Sequence, residues 1–129
     1  GAVEVTKGNA KKLGADVTVL HGDLFEKAEG KFDLIVSNPP YIPTEDIKAL
    51  SKQVLKEPRI ALDGGFDGMD FYRKIIEKSR DHFTRGVNII FEIGYDEGEK
   101  MKTLADTLGL NCEIKCDING LDRVALLKE

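Results

Sequence analysis

Five consecutive residues, Ser37-Asn38-Pro39-Pro40-Tyr41, are the clearest candidate for chemistry in the chain. They follow Phe32-Asp33-Leu34-Ile35-Val36, an apolar run of the kind that forms a parallel strand covered on both faces. Neither proline can donate to a sheet ladder, so the strand must stop there. Ligands of open α/β sheets bind beyond the C-terminal ends of the strands. At that place two prolines stiffen the backbone, so the Asn38 side chain and the Pro39 carbonyl become fixed acceptors and Tyr41 a flat apolar wall. Fixed acceptors suit an NH₂ group attached to a carbonyl or an aromatic ring, where the lone pair is delocalised and a poor nucleophile. Two acceptors on its hydrogens orient the group, polarise it and favour the positive charge that develops as the nitrogen attacks an electrophile. A plain strand-ending turn uses the same dipeptides. Position and composition together favour the chemical reading.

The elements around this run alternate between helix and strand. Residues 2–13 read as a helix stopped by Gly14. Val17-Thr18-Val19-Leu20 is short and β-branched and runs into His21-Gly22-Asp23, which predicts a strand leading to a loop. Residues 43–58 read as a loop with a short helix near 45–53. Asp67 is placed to cap a long helix reaching about Phe83, with Met69, Tyr72, Ile76 and Phe83 inward and Asp70, Lys74, Lys78 and Asp81 in water. Residues 87–93 predict another buried strand. Asp96 is then a cap with Glu99 as its capping-box partner, before the apolar stripe Met101, Leu104, Ala105 and Leu108 and the stop at Gly109. From Leu110 to Ile118 the period becomes two, with Cys112, Ile114 and Cys116 on one face. Asn119-Gly120 signals a hairpin, and residues 123–127 return. The layout is α/β and doubly wound: parallel strands ending in an antiparallel hairpin.

Composition bounds the function. The chain has 129 residues, 41% hydrophobic and 33% charged, enough for one modest core. A net charge of −4 argues against a large basic footprint, so no direct nucleic-acid partner is expected. No apolar run reaches the ~18 residues of a membrane helix, and no membrane role is expected. Cys112 and Cys116 on one strand face would stand ~13 Å apart, too far for a disulfide. The two histidines are remote from them in sequence, so free thiols and no metal are expected. Reduced thiols point to a cytoplasmic protein.

Asn-Pro-Pro-Tyr after a strand resembles the active-site motif of S-adenosylmethionine-dependent amino-methyltransferases, a group that acts on DNA adenine, RNA guanine or protein glutamine. The flanks narrow the resemblance. Gly22-Asp23-Leu24-Phe25, the run from Phe32 to Pro43, Glu57-Pro58-Arg59-Ile60-Ala61-Leu62-Asp63-Gly64-Gly65, Asp67-Gly68-Met69-Asp70-Phe71-Tyr72-Arg73, Glu92-Ile93-Gly94 and Asp117-Ile118-Asn119-Gly120-Leu121-Asp122-Arg123-Val124 are together similar to the peptide chain release factor glutamine methyltransferases (the PrmC/HemK family). The resemblance runs the length of the chain. It implies a Rossmann-like methyltransferase sheet, S-adenosyl-L-methionine as cofactor and release factors as protein substrate, methylated at the glutamine amide of a Gly-Gly-Gln loop. It further implies that Asn38 and the Pro39 carbonyl bind that amide, that Pro40 and Tyr41 complete the pocket, and that Asp23 and Leu24 touch the cofactor's adenine, by side chain and backbone respectively. Asn38 then borders both substrate and cofactor. No contact is assigned to Glu57-Pro58, or to Gly64-Gly65, whose glycines are explained by turns of positive φ. His82 and Glu92 are given surface or packing roles.

A domain of the resembled family opens with a strand and a glycine-rich cofactor turn, after an N-terminal helical domain. The sequence, which opens at Gly1 without methionine, matches none of these, so it is expected to be the C-terminal part of a catalytic domain and inactive alone. The two family strands between residues 17–20 and 32–36 are then missing. The expectation is that 17–20 moves against 32–36, or that a second copy fills the open edge. Two rivals remain: a DNA adenine or RNA guanine methyltransferase, and a non-catalytic binding or scaffold fragment.

Overall fold

A computed structural model describes all residues, Gly1–Glu129, with the chain forming two compact units, Gly1–Gly30 and Lys31–Glu129. None of its helices is long and apolar enough to cross a membrane.

The first unit is helix α1, Ala2–Leu13, followed by irregular chain. Gly14, at φ 61°, ends α1 as expected, and the Gly14 and Ala15 N–H groups close back on Lys11 and Ala10 carbonyls. The strand expected at 17–20 does not form. Val17 and Leu20 are 56% and 55% exposed, and the segment enters no ladder. β-branching makes a residue fit a strand only where a partner and a covered face exist, and here the segment has neither. The expected strand at 17–20 is therefore corrected.

The second unit is a four-stranded sheet of β1 (Ile35–Ser37), β2 (Asn88–Glu92), β3 (Asn111–Cys116) and β4 (Asp122–Lys128), in the order β1-β2-β4-β3. β1 runs parallel to β2, with Ile35, Val36 and Ser37 opposite Ile89, Ile90 and Phe91. β4 is antiparallel to both β2 and β3, which is the reversed hairpin expected. The chain crosses from β1 to β2 through four short 3₁₀ turns (Asp46–Ala49, Val54–Lys56 and Arg59–Ala61 before helix α2, Asp70–Ser79, and Arg80–His82 after it). Helix α3, Gly98–Thr107, joins β2 to β3.

The core gathers on β2. Ile89, Phe91 and Ile93 are fully buried, as are Tyr72 and Ile76 of α2, Met101 and Ala105 of α3, and Ala125 and Leu127 of β4. Each fully buried Ile, Leu or Phe contributes about 1.5–3 kcal/mol relative to exposure. Tyr72 packs edge-on to Phe91, ring centroids 5.0 Å apart. β1 differs from its sequence reading. Only 35–37 pair, Phe32 makes an isolated bridge with Phe83, and Val36 is 68% exposed. β1 is an edge strand, so one side of its ladder is open. Its start is held instead by Asp33, whose carboxylate accepts from Thr84 Oγ1 at 2.7 Å and whose carbonyl accepts from Asn88 Nδ2 at 2.9 Å.

Both expected helix caps shift. α2 starts after Met69. Asp67 acts one turn earlier, accepting from the Met69 N–H at 3.0 Å and pairing with Arg73, which holds its carboxyl at a pKa of about 2. At α3 the N-cap is Glu97 rather than Asp96, and Glu99 pairs with Lys102 instead of closing a capping box. The β3–β4 turn is held by Asp117, whose carboxylate accepts from the Asn119 and Leu121 N–H groups. Of its residues only Gly120 takes positive φ, so the turn is longer than a two-residue hairpin.

Gly64 takes no positive φ, which corrects half of the expectation for Gly64-Gly65; Gly65 does, at 90°. Gly64 is small because a Cβ there would lie 2.7 Å from the Tyr41 Cα and 2.8 Å from its carbonyl carbon. Gly64→Ala must therefore push two backbones apart. It is expected to destabilise the fold by about 1–3 kcal/mol in urea unfolding, and an unchanged midpoint would show the approach to be loose. The cysteines are unpaired, Cys116 exposed and Cys112 half-buried with its thiol pKa raised by burial. Cys116 should alkylate first and Cys112 more slowly, with two thiols titrated per chain. Stoichiometric zinc, or a missing thiol without reductant, would overturn this.

Candidate active site

Parallel pairing puts the C-terminal ends of β1 and β2 side by side, so Asn38 leaves its strand where Glu92 leaves the neighbouring one. Pro39 is buried, Pro40 and Tyr41 are half-buried, and Asn38 is exposed. The Asn38 side chain makes no hydrogen bond within the chain, so its amide oxygen is available as an acceptor.

The segment after Tyr41 is locked. The Ile42 N–H donates to the Leu62 carbonyl at 3.1 Å, and the Gly64 N–H to the Ile42 carbonyl at 2.8 Å. The Thr44 N–H donates to the Gly65 carbonyl at 2.9 Å. Asp63 ties the same place together with side-chain bonds: Thr44 Oγ1 at 2.6 Å, the Gly65 N–H at 3.2 Å and Arg59 Nε at 3.1 Å. The Thr44 hydroxyl first, then the Gly65 N–H, hold its carboxyl below the ordinary range. Residues 41–44 and 62–65 thus form one rigid double loop.

Two clefts flank Tyr41. One, of about 430 Å³, is lined by Asn38, Pro40, Tyr41 and Leu62 with the acids Glu57 and Glu92. Its size lies in the range of small-ligand sites. The other, of about 410 Å³, is lined by Tyr41, Pro43, Leu50, Tyr95, Glu97 and Lys100. Burial pushes the Tyr41 phenol pKa up, Glu92 and Glu97 add to this, and Arg123 opposes it, so the hydroxyl stays neutral. Behind Tyr41, the Tyr72 hydroxyl lies 3.0 Å from the Glu92 carbonyl and 3.2 Å from Glu97 Oε2, with its pKa raised mainly by burial.

Asn38, Pro39, Pro40 and Tyr41 therefore meet around one cleft, while Asp23 and Leu24 belong to the other unit. Asp23 is exposed. Leu24 is the one non-glycine residue with positive φ, 48°. That conformation costs about 1–2 kcal/mol, and such strain gathers at ligand sites. The sequence reading missed Glu57 and Glu92 as lining residues, Asp63 as the tie and Glu97 as a buried acid. Glu57 and Glu92 were legible only as parts of family blocks. His82 stacks on Phe32 away from both clefts.

A family model described as "Methyltransferase small domain" matches residues 1–66. The chain is 46% identical to a release factor glutamine methyltransferase of Bacillus cereus, over 95% of this chain and 46% of that protein. Its identity to the enzyme of that name from Geobacter sulfurreducens is 44%, over 96% of this chain and 45% of that protein. For the Bacillus subtilis enzyme the identity is 43%, over 95% and 44%. The chain spans a little under half the length of these curated relatives. With half of its residues matched by the family model, the chain belongs to the methyltransferase small domain family.

Proposed function

We propose that the chain carries the acceptor site of an enzyme that transfers a methyl group from S-adenosyl-L-methionine to the side-chain amide nitrogen of the glutamine in a release factor's Gly-Gly-Gln loop. The observation that carries this reading is the unengaged Asn38 amide at the end of β1, on a cleft whose other walls are apolar or acidic. The names of the relatives supply the substrate. Protein substrate and cytoplasmic location follow from the same reading.

In this mechanism Asn38 Oδ1 and the Pro39 carbonyl accept the two amide hydrogens. Their placement is fixed before the substrate arrives, because prolines 39 and 40 and the 62–65 loop hold the backbone. Holding both hydrogens orients and polarises the NH₂ group and stabilises the positive charge that grows on nitrogen. Glu57 and Glu92 add negative potential at the cleft, and the neutral Tyr41 ring walls off water. S-adenosylmethionine, when bound, supplies an electrophilic methyl on a sulfonium. The strained Leu24 backbone and the exposed Asp23 carboxylate fit an adenine, which offers both a donor and acceptors. We assign them to the cofactor, with Asn38 bordering it.

In the whole gene product, Asn38→Ala should lower kcat about 10²–10³-fold on a release factor, as loss of one preorganised polar group does, with the circular dichroism spectrum unchanged. Near-normal turnover would rule the mechanism out. The 129-residue chain by itself should bind S-adenosylmethionine weakly or not at all, and should self-associate through the open edge of β1, where Val36 is exposed. Calorimetry showing micromolar binding by a chain that is monomeric in light scattering would count against both statements.

A further inference from the structure

Of 23 acidic residues only Glu97 is buried, at 2% exposure. Its Oε2 accepts from the Gly94 N–H at 2.9 Å and lies 3.2 Å from the Tyr72 hydroxyl. Its Oε1 is closed to water and has no partner. The Tyr41 carbonyl oxygen, another acceptor, lies on the same side of Gly68 as Oε1. A Cβ placed on Gly68 would stand 2.7 Å from Oε1 and would collide with the Tyr41 carbonyl oxygen, so the two oxygens crowd the same face of that glycine. A carboxylate oxygen and a carbonyl oxygen have no donor to share, and an unsatisfied buried charge is among the costliest arrangements a core can hold.

No cation bonds to Oε1. Lys100 Nζ is bonded to the Asp67 carbonyl at 3.3 Å. Arg123 is engaged by the Ile93 carbonyl and Asp117. The remaining titratable groups nearby, Tyr72 on α2, Tyr41 on its loop, Glu92 on β2 and Asp96 beside it, are neutral or negative. A proton on Oε1 makes it a donor, with the Tyr41 carbonyl as an acceptor on the same side of Gly68.

We propose that Glu97 is a positioning residue for residues 38–41, held in the acid form with Oε1–H as donor to the Tyr41 carbonyl across Gly68. The same carboxyl takes the Gly94 N–H on its other oxygen, so one side chain fixes both the end of the Asn38–Tyr41 segment and the turn that follows β2. Burial is the main influence raising its pKa and Asp96 adds to it, while the Gly94 N–H, the Tyr72 hydroxyl and Lys100 oppose. The sign follows for an acid raised in the folded state. Its contribution to stability is complete below the ordinary value of 4.5 and is lost as pH rises through the folded value. A glutamine at 97 would carry a donor at every pH.

The consequence for methyl transfer rests on the function proposed above; the protonation does not. In the whole gene product, ¹³C-carboxyl NMR of labelled glutamate should show one resonance titrating above 4.5 that Glu97→Gln removes. Wild-type kcat should fall as pH rises through that titration, while Glu97→Gln keeps kcat within about twofold of the wild-type maximum and loses the fall. Glu97→Leu, which cannot donate, should lower kcat about tenfold or more with KM for the release factor little changed. Should the leucine variant not fold, the glutamine variant's flat pH profile still decides. A Glu97 carboxyl titrating at or below 4.5, or a wild-type kcat without that fall, overturns the proposal. Acid-form Glu97 in a protein that methylates no release factor would instead overturn the proposed function and leave the proton where it is assigned.

Discussion

The parallel pairing of β1 with β2 is the constraint on which the rest of the second unit depends. Parallel neighbours end on the same side of the sheet, so the chain leaving β1 at Asn38 and the chain leaving β2 at Glu92 emerge together. They cannot be joined by a tight turn, so some fifty residues must cross over before β2 begins. That crossover supplies what the strand ends lack: the 62–65 loop that backs Tyr41, the 3₁₀ turns that wall the cleft, and α2, whose Tyr72 packs on Phe91 of β2. The cleft is thus built from the connection that parallel topology requires.

Rigidity at residues 38–44 has two sources acting at different ranges. Prolines 39, 40 and 43 restrict φ locally, which limits the segment before any tertiary contact forms. The bonds to residues 62–65 then fix the remaining freedom, and they require a glycine at 64 so that the two backbones can touch. Asp63 belongs to that loop and adds its carboxylate, which accepts from Thr44, Gly65 and Arg59. The acceptors at Asn38 and Pro39 themselves are dipolar, which suits a neutral nitrogen, because they can bind it without first removing an ion from water.

How much of this was legible in the sequence follows from the range of the forces. The end of α1 at Gly14, the inward positions Met69, Tyr72, Ile76, Met101 and Ala105, and the β3–β4 hairpin were readable because periodicity and glycine punctuation are local. So was the strand-end placement of Asn38. The strand at 17–20 and the double burial of β1 were misread, because both depend on neighbours that pairing supplies and local composition does not. The caps failed for a subtler reason. Asp96 and Glu97 are adjacent acids before one helix, and a local rule cannot say which of them the fold turns inward. The tie made by Asp63 links residues nineteen apart and leaves no periodic trace.

Burying Glu97 rather than Asp96 has a physical logic. The longer side chain reaches back from the start of α3 to the Gly94 N–H and the Tyr72 hydroxyl, whereas a shorter one in the same place would lose a methylene of reach. A helix N-terminus favours negative charge nearby, which works against protonation, as do the two donors on Oε2. Against these stand nearly complete removal from water and the lack of any partner on Oε1. Donors on one oxygen do not relieve a lone pair on the other, and it is there that the balance is decided. On the assignment proposed above, an acid is tolerated in this core because Oε1, which has no partner as a carboxylate oxygen, can behave as a hydroxyl toward the Tyr41 carbonyl.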